Sequence, residues 1–115
     1  MNLVDMAREF RRAYEVVDSP DNEQMQMDLI IEEMKEFEAS ATFDTDAEAF
    51  KELCDLVYVC AQYAANQRWD LDEGLKRVHE SNLTKLGSNG KPLRRADGKV
   101  MKGPNYKPPV LTDLV

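Results

Sequence analysis

Leu29-Ile-Ile-Glu-Glu-Met-Lys-Glu36 and Phe50-Lys-Glu-Leu-Cys-Asp-Leu56 decide how this chain folds. Each stretch holds two carboxylates three residues apart, Glu33 with Glu36 and Glu52 with Asp55. Side chains at that spacing share one face of an α-helix, so each segment presents a two-carboxylate claw. Two claws facing each other across a helix bundle make an oxygen-rich pocket for hard divalent cations, Mg2+ above all. Without a cation, four close carboxylates repel and some must protonate. The competing reading is that these acids merely decorate solvent-facing turns. Asp55 argues against it, because it sits inside the apolar run Leu53-Cys-Asp-Leu-Val-Tyr-Val-Cys-Ala61. A carboxylate there has to be paired, hydrogen-bonded or metal-bound.

Working outward, the spacing predicts an all-α, four-helix bundle-like fold. Leu3, Ala7, Phe10, Tyr14 and Val17 mark a first helix from Asn2 to about Val17, ended by Ser19-Pro20-Asp21. A second runs from Asp21 or Asn22 to about Ala41, with Ile30, Met34, Phe37 and Ala41 as its apolar stripe and Phe43 tucked against the bundle end. Thr45 and Glu48 form a capping box opening a third helix, Asp46 to Asn66. This one is apolar nearly all round and is expected to be buried between others. Asp70 with Glu73 opens a fourth helix reaching about Lys85. Its inner stripe passes from Leu71, Leu75 and Val78 to Asn82 and Lys85, as where a core gives way to a ligand site.

After Leu86 glycine and proline end the helical pattern. Asp97-Gly98 signals a hairpin turn, Lys99-Val100-Met101 a short strand, and Pro104 to Pro109 an extended segment. The expected organisation is a helical metal-binding region, residues 1–86, and an irregular, extended basic tail, residues 87–115, belonging to the same domain.

The chain's 115 residues suit one domain, and no apolar run approaches a membrane span. The N-terminus lacks a signal-peptide plan, so the expected compartment is the cytoplasm. Cys54 and Cys60 lie about 9 Å apart along one helix, too far to bridge, and read as buried thiols. The net charge of -7 hides an asymmetry: nine of the 15 basic residues, but only three of the 22 acidic ones, follow Leu75. Such an acidic chain is a poor ligand for duplex nucleic acid. An acidic helical body with a basic C-terminal segment instead suits a metal-bound polyphosphate, although a solvated acidic face with a basic tail has the same composition. Lys91, Arg94, Arg95, Lys99 and Lys102 are the tail cations able to fold over phosphates. His79, the sole histidine, reads as a surface residue, and Trp69 as a structural anchor.

Glu32-Glu33-x-x-Glu36 followed by Glu52-x-x-Asp55 resembles the all-α nucleoside triphosphate pyrophosphohydrolase superfamily, which includes MazG-type enzymes and phosphoribosyl-ATP pyrophosphohydrolase. The resemblance spans about residues 25–85. Asn82-Leu-Thr-Lys85 and Asp97-Gly-Lys-Val-Met-Lys-Gly-Pro-Asn-Tyr106 also look like small bacterial and phage members. It implies a MazG-type fold, with Glu33, Glu36, Glu52 and Asp55 as ligands of Mg2+, or of Mn2+ in its place. Glu32 would line the site, and Glu32 or Glu36 would accept a proton. Asn82 and Lys85 match positions that contact nucleotide in relatives, although Lys85 also suits a helix C-terminus on dipole grounds alone. The implied activity is Mg2+-dependent hydrolysis of a nucleoside triphosphate, deoxy and non-standard ones included, to the monophosphate and pyrophosphate. The implied assembly is a homodimer or homotetramer. Two alternatives stand beside it: a same-fold hydrolase of phosphoribosyl-ATP or an alarmone, and a non-enzymatic acidic helical interaction module.

Overall fold

The computed structural model describes residues 2–115. Among them are four α-helices, α1 (Leu3–Ala13), α2 (Glu23–Phe43), α3 (Asp46–Gln67) and α4 (Leu71–Asn82), and one two-stranded antiparallel ribbon, β1 (Leu93–Arg94) with β2 (Val100–Met101). The all-α expectation holds. Among the described residues no helix is long and apolar enough to cross a membrane. By their internal contacts the described residues up to Leu71, with Val115, form one compact unit, and Asp72–Leu114 form another.

In the first unit α3 is the central helix, packed along α2 and, on another face, against α1. Ala7, Ala61 and Ala65 are almost fully buried, with Leu3 and Leu71 packed against them. Alanines let α1 and α3 approach closely but bury little apolar area, so hydrophobic burial alone does not hold this contact. The rest comes from a buried polar clasp centred on Arg11, which is only 3% exposed. Its guanidinium donates to Asp18 Oδ1 (2.9 Å), Gln62 Oε1 (3.3 Å) and Asn66 Oδ1 (2.9 Å). Arg8 reaches Asp18 Oδ2 (2.7 Å) and the Ala65 carbonyl (2.8 Å). Asn66 donates in turn to the Ser19 carbonyl (2.9 Å). One network thus ties α1, the loop after it and the end of α3.

Helix α1 stops at Ala13, four residues short of the expected Val17. Glu15 adopts a left-handed conformation (φ 55°), and the Val16 N–H bonds back to the Arg11 carbonyl at 2.9 Å, a helix stop usually built on glycine. Helix α3 ends the same way on Arg68 (φ 60°), with the Trp69 N–H on the Ala64 carbonyl. Trp69 sets its ring edge against Tyr63 at 5.8 Å, as an anchor would. The Thr45–Glu48 capping box is present in both directions.

Three expectations need correction. Phe43 is not tucked in; α2 continues through Thr42, whose hydroxyl bonds the Glu38 carbonyl, and leaves Phe43 84% exposed. Cys54 is exposed because it shares the outward side of α3 with Phe50, Leu53 and Val57, all exposed within this chain. For the same reason α3 is not buried all round. Cys60 is half-buried, and that burial raises its thiol pKa.

In the second unit the C-terminal segment is tied to α4. Arg77 forks onto Asp113 (2.6 and 3.0 Å), bonds the Val110 carbonyl and reaches Glu73 Oε1 at 3.1 Å. The buried Ser81 hydroxyl donates to the Lys107 carbonyl (2.6 Å), and the Lys107 N–H to Thr84 Oγ1 (2.8 Å). Gly103 passes so close to the chain just after α4 that a Cβ there would fall 2.0 Å from the Leu86 carbonyl oxygen; only glycine fits. The hairpin turn at Asp97-Gly98 forms with Gly98 at φ 89° and Asp97 accepting from the Lys99 N–H. Pro104 and Asn105 form a turn, so the extended segment expected over Pro104–Pro109 does not begin at Pro104.

Candidate metal centre

Each claw forms because its helix runs unbroken through it. Glu33 and Glu36 lie one turn apart on α2, and Glu52 faces them from α3, opposite because these two helices pack side by side. One carboxylate oxygen from each of the three lies within 4.8 Å of the others. Oxygens sharing one Mg2+ octahedron sit about 3–4 Å apart, so small rotamer adjustments would close the set on an ion. Glu33 Oε2 and Glu52 Oε2 are buried and have no hydrogen-bond partner among the described residues. Two orphaned, buried acceptors in an all-oxygen set fit a hard divalent cation.

The electrostatics agree. Partial burial raises the Glu33 pKa, and the adjoining Glu36 carboxylate, with the negative charges of Asp55 and Glu52, raises it further. Asp55 is the fourth member by proximity but not one of the three converging groups. Its Oδ2 is held by Lys51 Nζ at 2.6 Å, and the same ammonium lies 3.6 Å from Glu52 Oε1. Lys51 is the residue that reading the motif overlooked. Its position, just before Glu52 and four before Asp55, was the available signal.

Glu32 is exposed on α2 and lies outside the converging group. In the second unit, Lys85 and Lys102 meet over one ring, their Nζ atoms 6.0 and 4.8 Å from the centre of Tyr106. Asn82 is exposed at the last position of α4, and Lys99 is exposed beside Gly98. Arg95 is already paired with Asp97, which removes it from the free cations of the tail. His79 is exposed, as expected.

The family model for phosphoribosyl-ATP pyrophosphohydrolase matches residues 6–82, about two thirds of the chain. None of the curated proteins compared with the chain matches it. The matched span contains both claws and runs from α1 to the end of α4. It removes the non-enzymatic interaction module from consideration. The chain belongs to the phosphoribosyl-ATP pyrophosphohydrolase family, hydrolases of phosphoric anhydrides within the MazG-like all-α superfamily.

Proposed function

We propose that the protein hydrolyses a nucleoside triphosphate, deoxy and non-standard ones included, to the monophosphate and pyrophosphate, with Mg2+ held by Glu33, Glu36, Glu52 and Asp55. The observation that carries the metal assignment is the pair of buried, partnerless oxygens, Glu33 Oε2 and Glu52 Oε2, facing Glu36. Held there, Mg2+ would neutralise phosphate oxygens and make an attacking water more acidic. In the reaction a water oxygen bonds to the α-phosphorus as the bond from that phosphorus to the bridging oxygen breaks. Pyrophosphate leaves with the bridging oxygen. Glu36 or the exposed Glu32 accepts the water's proton. Asn82, Lys85, Lys99 and Lys102 are the proposed substrate-binding groups, the lysines as compact cations for phosphate.

Phosphoribosyl-ATP is the second reading, favoured by the family description itself. It offers the same α–β anhydride on a bulkier base, so the chemistry above is common to both.

The proposed active form is a homodimer or homotetramer. Met27, Ile31 and Met34 form an exposed apolar stripe on α2, and Phe50, Leu53 and Val57 one on α3, while the fully buried apolar side chains are alanines. Stripes at that spacing are ones a second copy would cover. The reading places the protein in the cytoplasm, where such nucleotides and Mg2+ are abundant.

A pyrophosphate-release assay over canonical, deoxy and modified triphosphates and phosphoribosyl-ATP, with Mg2+, Mn2+ or EDTA, tests the proposal. Metal-dependent release from at least one triphosphate is expected. Turnover confined to phosphoribosyl-ATP would replace the first substrate with the second, and full turnover in EDTA would overturn the metal assignment.

A further inference from the structure

We propose that Lys51 is a built-in counter-ion of the carboxylate centre: its ammonium compensates the acidic oxygens in the cation-free protein, swings out when a divalent ion binds, and so sets the affinity of the site. The inference rests on the metal reading above and concerns a residue outside its ligand set.

Three observations carry it. Lys51 Nζ touches two carboxylates at once, Asp55 Oδ2 at 2.6 Å and Glu52 Oε1 at 3.6 Å. It engages the outer oxygen of Glu52 and leaves the inner one, Oε2, buried and partnerless beside Glu33 Oε2. The charge of the cluster is therefore compensated on one side only. Finally, the Lys51 side chain is 69% exposed, so its flexible stem can rotate into solvent without disturbing packing.

Ordinary helix stabilisation does not account for the arrangement. A lysine four residues before an acid is the weaker order for such a pair, because it opposes the helix dipole. What the position does supply is a monovalent cation at the mouth of a divalent site. An ion bound by Glu52 and Asp55 would share both carboxylates with that ammonium and repel it. Binding must then include displacement of Lys51, and part of the ion's affinity is spent on it. The empty centre, in turn, escapes the full repulsion of four bare carboxylates.

The test uses the full chain and two readouts, melting temperature in EDTA and isothermal titration with Mg2+ and with Mn2+. Lys51→Met is expected to melt a few degrees lower than wild type in EDTA. Its affinity for either ion is expected to rise, by about tenfold, and the ion-induced rise in melting temperature should grow accordingly. Lys51→Arg, which keeps the charge, should stay close to wild type in both. Equal ion affinity in Lys51→Met and wild type would reduce Lys51 to a surface pair and overturn the proposal alone. Weaker binding in Lys51→Met would also overturn it, by showing that the ammonium supports the loaded state. Absence of saturable ion binding in wild type would instead remove the metal reading, and this inference with it.

Discussion

Glu36→Gln and Asp55→Asn are each expected to cut pyrophosphate release by about two to four orders of magnitude while leaving the helical circular-dichroism signal unchanged. Neither side chain is buried: Glu36 is exposed and the Asp55 side chain retains 35% exposure, so an isosteric amide costs little packing. What the substitution removes is charge. The apo form of Glu36→Gln should not suffer, because Glu33 carries a raised pKa from burial and from Glu36, Asp55 and Glu52 around it. Taking away one of those charges relieves repulsion, so Glu36→Gln in EDTA should melt at or above the wild-type temperature. Addition of Mg2+ should stabilise wild type and barely move the variant, since only a complete ligand set gathers the ion in the native state. Two purified variants with near wild-type turnover would place the chemistry elsewhere.

The largest stability effect is expected at Arg11, far from that chemistry. Arg11→Met is expected to cost about 3–5 kcal/mol, the scale for breaking one side of a buried ion pair. It strips donors from Asp18, Gln62, Asn66 and the Val17 carbonyl together, and a domain has only about 5–15 kcal/mol in total. The loss should depend on pH in a definite direction. Partial burial pushes the Asp18 carboxyl up, but hydrogen bonds from Arg8 and Arg11, with their charges, outweigh it and hold the pKa below the ordinary value. A depressed carboxylate contributes stability that is fully present above its unfolded pKa of about 4 and is lost as pH falls through the folded value. Urea unfolding should therefore show a gap between wild type and Arg11→Met that is constant from about pH 5 to 8 and narrows below about pH 4. A gap under about 1 kcal/mol, or one undiminished in acid, would contradict the clasp as described.

Part of this architecture is legible in the sequence. The spacing of Glu33 with Glu36, and of Glu52 with Asp55, puts each pair on one helix side because period is a local property of a helix. The Thr45–Glu48 box marks a helix start for the same reason. The Arg11 clasp was not readable. Its partners Gln62 and Asn66 lie 51 and 55 residues away, and a buried arginine leaves no mark in an apolar period. Helix α1 was overextended because its stop uses Glu15 and not the glycine or asparagine that usually signals it. The outward side of α3 misled in another way. Leu53 and Val57 lie in a run apolar nearly all round, and such a run reports apolarity, not the direction each side chain faces. Asp55 was expected to converge with the others. Its salt bridge to Lys51 draws it aside, a competition between two neighbours on one helix that the motif alone does not express.

Whether the α2 and α3 carboxylates hold a divalent ion can be seen by anomalous diffraction from a crystal grown with Mn2+. A manganese peak is expected between Glu33 Oε2, Glu52 Oε2 and the Glu36 carboxylate, at about 2.0–2.3 Å from each ligating oxygen. A Mn2+-activated protein whose crystals show no peak there, or show it on other residues, would contradict it.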